Sequence, residues 1–439
     1  MNRFIFRNIL LCFGIIAIMM TLPSTSNAQS LFKKIKDRAT QAATGKILDK
    51  TDKAVGKHLD KAIGGTGTTQ ETIQEEASNE KESADGHQEP SSVKAFSKYD
   101  FVPGDSVLYV NDFSNEALGE LPRNWNSNGS SVIVKLDGMD GQWLRMAQRT
   151  VALTDNKKML GSDFTVEFDL FLQFDFKGWL PPSVRFGLLA SGQEDPTGNP
   201  LLSDPKGDKS FYMEVSPLSD GANLVLETYK KYTRHFNSPP QRSTLAKNWY
   251  STVVHVSMQG QKERLRIWMD QEKIYDVPKA IPIDGIFNQL FFQLSSSPYQ
   301  NDQVGVYISN IKIAKGLPDT RHKLIEEGKF STTGILFDTG SANIKASSSG
   351  VLKSIATVLT ENQDMNVQII GHTDAVGEEQ ANQQLSELRA KAVKEKLQNT
   401  YGITANRLEA LGKGESAPMG DNKTKEGMAQ NRRVEFIRL

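Results

Sequence analysis

The sequence predicts a multidomain protein in which an all-β sandwich is followed by an α/β sandwich. Between Tyr99 and Gly316, short runs of alternating apolar and polar residues recur with no helical pattern between them. From His322 to Leu439, strand-like and helix-like patterns alternate instead. The chain has 439 residues, and at about 150 residues per domain this length agrees with several folded units.

The N-terminus predicts a secretory signal peptide over residues 1–28. Arg3 and Arg7 precede an apolar run from Ile9 to Leu22, and Ser26-Asn27-Ala28 provides small residues for cleavage. The run has about fourteen residues, which is short for a membrane-spanning helix, but a retained membrane anchor remains the alternative. The single cysteine, Cys12, lies inside the run, so the mature chain would have no disulfide and no thiolate metal site.

Two polar segments follow the signal peptide. Residues 29–63 predict a basic amphipathic helix, because apolar residues recur at helical spacing and Lys and Arg outnumber Asp. This helix would lie on an anionic membrane or a partner, or else serve as a solvated spacer. Residues 64–97 are rich in Glu, Ser and Gly and have few apolar residues, so we expect a disordered linker.

Residues 98–316 predict one β-sandwich of about a dozen short strands. The clearest strand runs from Phe164 to Phe176, where Phe, Val and Leu alternate with mostly polar residues. The order of four features resembles the concanavalin A-like, or laminin G-like, jelly roll. These features are NDFSNEALGELPRNWN, DFTVEFDLFLQF, the pair NWYSTVVHV and RLRIWMD, and VYISNIKIA.

Residues 322–439 predict a βαβαββ order, with the helices on one face of a mixed sheet. The expected elements are strands at Gly334–Phe337, Val367–Gly371, Arg407–Leu411 and Val434–Arg438, and helices at Ser347–Glu361 and Asn382–Tyr401.

Asp374 and Arg389 are the best candidate binding residues in this region. Asp374 follows an apolar strand, and Arg389 lies on the next helix within an apolar stripe that includes Leu385, Leu388 and Val393. An arginine in such a stripe is unfavourable unless an anion meets it. The two side chains together predict a receptor for a zwitterion such as an amino-acid head group, or else a structural ion pair.

Five sequence blocks carry a family resemblance. They are ILFDTGSANIK, GHTDAVG, LSELRAKAV, RLEALGKGESAP and NKTKEGMAQNRRVEF. In this order they resemble the C-terminal peptidoglycan-binding domain of the outer membrane protein A family. The resemblance implies that Asp374 binds the ammonium, and Arg389 the carboxylate, of the diaminopimelate side chain in the peptidoglycan stem peptide.

The same resemblance suggests further binding residues. Thr373 and Asn382 would border the crevice and add hydrogen bonds, while Asp338 and Gly340 would line its opposite wall. Arg432, in NRRVEF, is a weaker candidate, and its alternative role is a salt bridge that fixes the last strand.

Other chemistries lack a sequence signature. Lys plus Arg and Asp plus Glu are both 52, which argues against nucleic acid as the main partner. The six histidines are scattered without metal-ligand spacing, and there is no GxSxG sequence. We therefore predict no metal, no cofactor and no enzymatic activity. His372 is expected to be a strand-end residue hydrogen-bonded to its neighbours.

The predicted sandwich permits two alternatives to a simple spacer or protein-binding role. A glycan-processing enzyme would need a carboxylate pair such as Glu167 and Asp169, but the acid/base residue that related glycanases carry next is missing. A lectin would need exposed aromatic rings, and among the five tryptophans Trp179 is the best candidate.

Together these features predict an exported, non-enzymatic protein of a Gram-negative envelope, periplasmic and associated with the outer membrane. It would tether the outer membrane or an envelope module to peptidoglycan. Its expected partners are peptidoglycan, outer membrane or envelope proteins, and a possible glycan at the sandwich.

Overall fold

A computed structural model of the chain describes residues 99–196, 198–284 and 286–439. The predicted signal peptide (1–28), basic helix (29–63) and linker (64–97) lie outside the described residues. Among the residues described, no helix is long and apolar enough to cross a membrane.

Residues 106–315 form two antiparallel sheets of eight strands each. The strands are β1 (Ser106–Asn111), β2 (Asn126–Ser127), β3 (Val132–Val134), β4 (Trp143–Arg145), β5 (Thr150–Leu153), β6 (Asp163–Phe174), β7 (Val184–Ala190), β8 (Lys209–Leu218), β9 (Gly221–Lys230), β10 (Thr233–Asn237), β11 (Gln241–Ser243), β12 (Val253–Gln261), β13 (Arg264–Met269), β14 (Glu272–Val277), β15 (Gln289–Leu294) and β16 (Val304–Lys315).

The first sheet has the order β14-β13-β12-β6-β16-β4-β3, with β1 paired to β16. The second has the order β10-β9-β8-β7-β15-β5-β2, with β11 paired to β9.

The two sheets share one apolar core. The alternation in β6 directs Phe168 inward, where its ring centre lies 5.1 Å from that of Phe186 and 5.2 Å from that of Phe292, both in the second sheet. Glu167 and Asp169 point to the other face of the first sheet, because successive side chains alternate along a strand. The predicted period-two strand is therefore confirmed, with its end at Phe174 rather than Phe176.

The expectation of no helix among these strands was wrong. A single helical turn, α1 (Pro200–Ser203), and a 3₁₀ segment, Leu245–Trp249, interrupt them. Strand β10 also lacks a sequence signal, because it is a mostly exposed strand that needs no apolar alternation.

The C-terminal region is an α/β structure with a four-stranded mixed sheet. Its elements are α2 (Thr320–Ile325), β17 (Lys329–Thr332), α3 (Ser349–Glu361), β18 (Val367–Gly371), α4 (Glu379–Tyr401), β19 (Leu408–Gly412), α5 (Lys425–Asn431) and β20 (Val434–Arg438). The sheet order is β17-β20-β18-β19, and only β18 and β19 are parallel. Helices α3 and α4 bury their apolar sides against one face of this sheet.

Two details of the predicted βαβαββ order were wrong. The first strand is β17, whereas Gly334–Phe337 turns away from the sheet and only Phe337 makes a single bridge, to Ile344. Gly334 is packed against Pro103 and Val351, so that segment fills the edge of the core. The seven-residue α5 between the last two strands was also missed, since the sequence there has no apolar periodicity.

The segment before β1 packs between the first sheet and the C-terminal region. The Phe101 ring contacts Trp268, with 5.3 Å between ring centres, and its backbone lies directly against Gly350 in α3. Lys312 of β16 pairs with Glu167 at 2.7 Å and also donates to the carbonyl of Thr333 at 3.4 Å. The two regions are therefore in direct contact, which places α5 beside β1.

Candidate functional site

Asp374 lies just beyond the C-terminal end of β18. The backbone N–H of Thr373 donates to the carbonyl of Gly414 at 2.9 Å, which continues the strand direction past Gly371. The Asp374 carboxylate is mostly buried and accepts a hydrogen bond from the N–H of Val376 at 3.2 Å. A carboxylate is thus held at the end of a parallel strand, beside the start of α4.

Arg389 lies on α4 close enough to Asp374 to feel its charge, and the space between the two side chains is called the crevice below. Its Nε donates to the carbonyl of Ser341 at 3.0 Å, and its guanidinium carbon lies 4.9 Å from the centre of the Phe337 ring. Within the described part of the chain, Arg389 makes no ion pair with a carboxylate. Burial lowers the pKa of Arg389 below its ordinary value, Arg432 lowers it further, and Asp374 acts in the opposite direction.

The predicted apolar stripe on α4 needs correction. Leu388 is 55% exposed, and the face of α4 that contacts the sheet consists of small and polar as well as apolar residues: Asn382, Ser386, Ala390, Val393 and Leu397. Arg389 therefore lies at the edge of the buried face, half-buried rather than within it. This position suits a side chain that meets a ligand, because the guanidinium is partly desolvated yet accessible.

Asp374 does not pair with Arg389, as a structural ion pair would require. Its Oδ2 atom instead lies 2.5 Å from Nη1 of Arg432, which directly follows α5. The Arg432 side chain is 44% exposed. The structure thus brings Arg432, the weakest candidate from the sequence, into contact with Asp374, one of the two strongest.

The remaining predicted site residues fall into two groups. Asn382 donates from its amide to the carbonyl of Asp374 at 3.2 Å and to the Glu415 carboxylate at 2.6 Å, so it holds the loop after β18. Thr373 is buried, and its hydroxyl has no hydrogen-bond partner among the described residues.

The other group is the loop before α3. Asp338 and Gly340 lie there as exposed residues, and the loop is closed by a hydrogen bond from the N–H of Ser341 to the carbonyl of Asp338 at 3.1 Å. Gly340 has φ of +62°, a conformation that favours glycine. Because the carbonyl of Ser341 accepts a hydrogen bond from Arg389, this loop lies beside the guanidinium.

His372 is buried, and neither of its ring nitrogens has a hydrogen-bond partner among the described residues, so the expected side-chain hydrogen bonds to its neighbours are not found. Its Nε2 atom is 3.6 Å from the Glu435 carboxylate, which also contacts Arg433 at 2.7 Å. Burial acts to raise the pKa of Glu435, but His372, Lys329 and Arg433 together hold it well below its ordinary value. In the described residues no group of three or more His, Cys, Asp or Glu side chains is placed to hold a metal ion.

Glu167 and Asp169, the carboxylate pair considered for a glycanase, are buried under the C-terminal region. His255 contacts both, at 3.4 Å from Glu167 and 2.7 Å from Asp169. Burial acts to raise both pKa values, but Lys312 and His255 bring that of Glu167 below its ordinary value. His255, Asn310 and Lys345 do the same for the pKa of Asp169. These groups are therefore ionised and inaccessible, which does not suit a general acid that must protonate a glycosidic oxygen.

The sheets present two other features that bear on ligand binding. Trp179 is 64% exposed, whereas the other four tryptophans are buried.

Sequence reasoning missed a polar groove of about 430 Å³ on the second sheet. In this groove Glu227 accepts hydrogen bonds from the hydroxyls of Tyr212 and Tyr229, and Arg185 pairs with Glu214 at 2.5 Å. Its residues come from four strands, β7 to β10, and the loop before β8, so no local motif reveals it.

Comparison with known proteins places the C-terminal site in a family. Residues 336–432 match the OmpA family model. The chain is 43% identical over 101 residues to outer membrane porin F of Pseudomonas aeruginosa, which covers 23% of this chain and 29% of that protein. It is 41% identical over 102 residues to the probable lipoprotein YiaD of Escherichia coli, covering 23% of this chain and 46% of that protein.

Among solved structures, the peptidoglycan-associated lipoprotein from Burkholderia pseudomallei is 27% identical, with a TM-score of 0.23. That match covers 25% of this chain and 89% of that chain. The chain thus spans less than half the length of the two curated relatives named above. The resemblance expected from the sequence blocks is confirmed for residues 336–432, which include Asp374, Arg389 and Arg432.

Proposed function

Because residues 336–432 form an OmpA family domain, we propose that this domain binds peptidoglycan noncovalently and tethers the outer membrane or an envelope module to the cell wall. The main support is Arg389, a partly desolvated guanidinium with no carboxylate partner among the described residues, beside the carboxylate of Asp374. A half-buried unpaired cation is unfavourable, so an anionic ligand group would improve the site.

The ligand we propose is the zwitterionic end of diaminopimelate in the stem peptide. Its ammonium would take the place of Arg432 on Asp374, and its carboxylate would bind the fork of Arg389. Thr373 has a buried hydroxyl without a hydrogen-bond partner among the described residues, Asn382 fixes the loop, and Asp338 and Gly340 would form the opposite wall. Weak binding to each peptide is sufficient, because the wall is a dense array and tethering raises the effective concentration.

The proposal includes the domain organisation expected from sequence. A concanavalin A-like jelly roll at 98–316 would precede the binding domain at 322–439, and the N-terminal segments would export the chain to the periplasm and connect it to the outer membrane. Because Glu167 and Asp169 are buried and ionised, we propose no hydrolase for the sheets. The exposed Trp179 and the tyrosine-lined groove support a lectin as the second candidate. Release of soluble fragments from peptidoglycan or β-glucans would contradict a non-enzymatic role.

Sedimentation with purified insoluble peptidoglycan tests the main proposal. We expect the wild-type protein to pellet and Asp374→Ala and Arg389→Ala to stay in solution, since removing one member of a desolvated charge pair costs about 2–5 kcal/mol, or roughly 30- to several thousand-fold in affinity. Asp364→Ala and Lys391→Ala, on exposed surfaces of the same domain, are matched controls that should pellet normally. Equal pelleting of the wild type and all four variants would contradict the proposal.

A further inference from the structure

Arg432 lies where the C-terminal domain meets the first sheet. Helix α5 ends at Asn431, and Arg432 follows with its guanidinium on Asp374. Gln430, on the last turn of α5, joins the helix to β1. Its side-chain oxygen accepts from the N–H of Val107 at 3.0 Å, and its side-chain nitrogen donates to the carbonyl of Asp105 at 2.9 Å.

The start of α5 has a second contact with the same strand. Lys425 Nζ lies 3.3 Å from the side-chain oxygen of Asn111, at the end of β1, and 3.6 Å from the carboxylate of Asp112. Burial acts to raise the pKa of Asp112, but hydrogen bonds from Ser114 and the charges of Lys425 and Arg432 bring it below its ordinary value. Both ends of helix α5 are therefore held by β1 and the residue after it. The first sheet thus fixes the position of the Arg432 backbone, which directly follows the helix.

The charges at the crevice do not balance for a simple zwitterion. Arg432 pairs with the Asp374 carboxylate, whereas Arg389 feels the charge of Asp374 but has no carboxylate partner among the described residues. When a ligand ammonium binds Asp374, Arg432 loses its partner, and the ligand carboxylate at Arg389 satisfies only one of the two cations. A ligand with one ammonium and two carboxylates would pair all three protein charges.

We propose that the site binds a stem peptide with a second carboxylate, outside the zwitterionic head, at Arg432, and that β1 holds Arg432 there through Gln430. This inference rests on the proposed peptidoglycan binding and names a further recognition element of the same site. The first sheet would then contribute to wall binding, because β1 fixes the position of Arg432. Gln430 is a positioning residue, since it joins α5 to Val107 and Asp105 and would act on the ligand only through Arg432.

Calorimetric titration of the full chain with two soluble peptides tests this inference. One is the tripeptide L-alanyl-γ-D-glutamyl-meso-diaminopimelate, and the other is the same peptide with the carboxylates outside the zwitterionic head amidated. We expect the wild type to prefer the free acid by roughly 10- to 150-fold, because a hydrogen bond to a charged group contributes about 1.5–3 kcal/mol. Arg432→Gln should lose this preference while binding the amidated peptide at least as well as the wild type, because Asp374 then has no competing cation.

Gln430→Ala tests the part played by β1. We expect it to remain folded by circular dichroism and to lose most of the preference for the free acid although Arg432 is intact, whereas Lys423→Ala, an exposed lysine before α5, should keep it. Equal affinity of the wild type for the two peptides would overturn the inference and leave the proposed function standing. Wild-type preference retained by Gln430→Ala would refute the positioning by β1, and binding of neither peptide would refute both proposals.

Discussion

Two clusters of buried charge in this protein differ in whether their partners are complete. Under the C-terminal region, Glu167, Asp169, His255 and Lys312 form a set in which each member has an opposite charge within 3.4 Å. At the crevice, Arg389 has no such partner among the described residues. Buried charges that are all paired stabilise the fold, whereas a buried charge without a partner can be stabilised by an oppositely charged ligand group.

The complete cluster makes stability depend on pH through His255, whose side chain is only 14% exposed. Burial acts to lower the pKa of His255, but Asp169 and Glu167 prevail and raise it from 6.5 to about 9. Because folding favours the protonated ring, its contribution is complete below about pH 6.5 and is lost as the pH rises through the folded value.

We expect the difference in unfolding free energy between wild type and His255→Gln to shrink by up to roughly 3 kcal/mol between pH 6 and pH 9.5, since one pKa unit corresponds to about 1.4 kcal/mol. Urea unfolding at these two pH values measures the difference. A difference that does not change with pH would contradict protonation of His255 in the folded state.

At the scale of elements, the close approach of α4 to the sheet creates the crevice. Gly371 and Gly412, at the ends of the parallel strands β18 and β19, lie directly under Ser386 of α4. The Ser386 hydroxyl also accepts from the N–H of Gly414 at 2.8 Å. This contact brings the strand end that carries Asp374 and the helix that carries Arg389 to the same place.

Gly371→Ala should therefore disturb both stability and binding. Its Cβ would lie 2.2 Å from the backbone oxygen of Ser386, and overpacking of this kind costs about 1–3 kcal/mol. Thermal unfolding should show a lower melting temperature, and peptidoglycan sedimentation should show less protein in the pellet. Gly402→Ala, which follows α4 at φ of +72° in open space, is the control: it should lose about 1–2 kcal/mol from backbone strain but keep its binding. Wild-type stability of Gly371→Ala would be inconsistent with this packing.

At the scale of the whole molecule, residues 99–105 join the two folded regions. Phe101 is fully buried between Trp268 of the first sheet and Gly350 of α3, and the N–H of Gly104 donates to the Thr165 hydroxyl at 2.9 Å. Together with α5 on β1, this segment couples the sheets to the C-terminal domain. Such coupling predicts cooperative unfolding of the two regions.

Phe101→Ala should separate the unfolding of the two regions. All five tryptophans lie in the sheet region, so their fluorescence reports on that part, while the helical circular dichroism signal reports mainly on the C-terminal domain. We expect coincident thermal transitions in the wild type and separate ones in Phe101→Ala, with a loss of about 3–5 kcal/mol for removing a buried Phe ring. Val376→Ala, an exposed position, should leave the transitions coincident, and coincident transitions in Phe101→Ala would argue against this coupling.

Local patterns were sufficient to predict much of this protein. The period-two alternation of β6, the boundaries of β18 and β20, and the α/β character of the C-terminal region all follow from the spacing of apolar residues along a short stretch of chain. The order of five motifs likewise predicted the OmpA family domain at residues 336–432. Elements with weak periodicity, such as β10 and α5, were missed because tertiary contacts rather than their own pattern stabilise them.

The sequence by itself determined which residues carry charge near the crevice, because Asp374 and Arg389 stand beside a recognisable strand and helix. Only the tertiary structure decided how those charges pair. Arg432 reaches Asp374 across 58 positions of chain, Gln430 reaches Val107 across 323, and Lys312 reaches Glu167 from a neighbouring strand. Apolar spacing records which face of an element is buried, but side-chain partners depend on which distant elements pack together, and no local pattern encodes that.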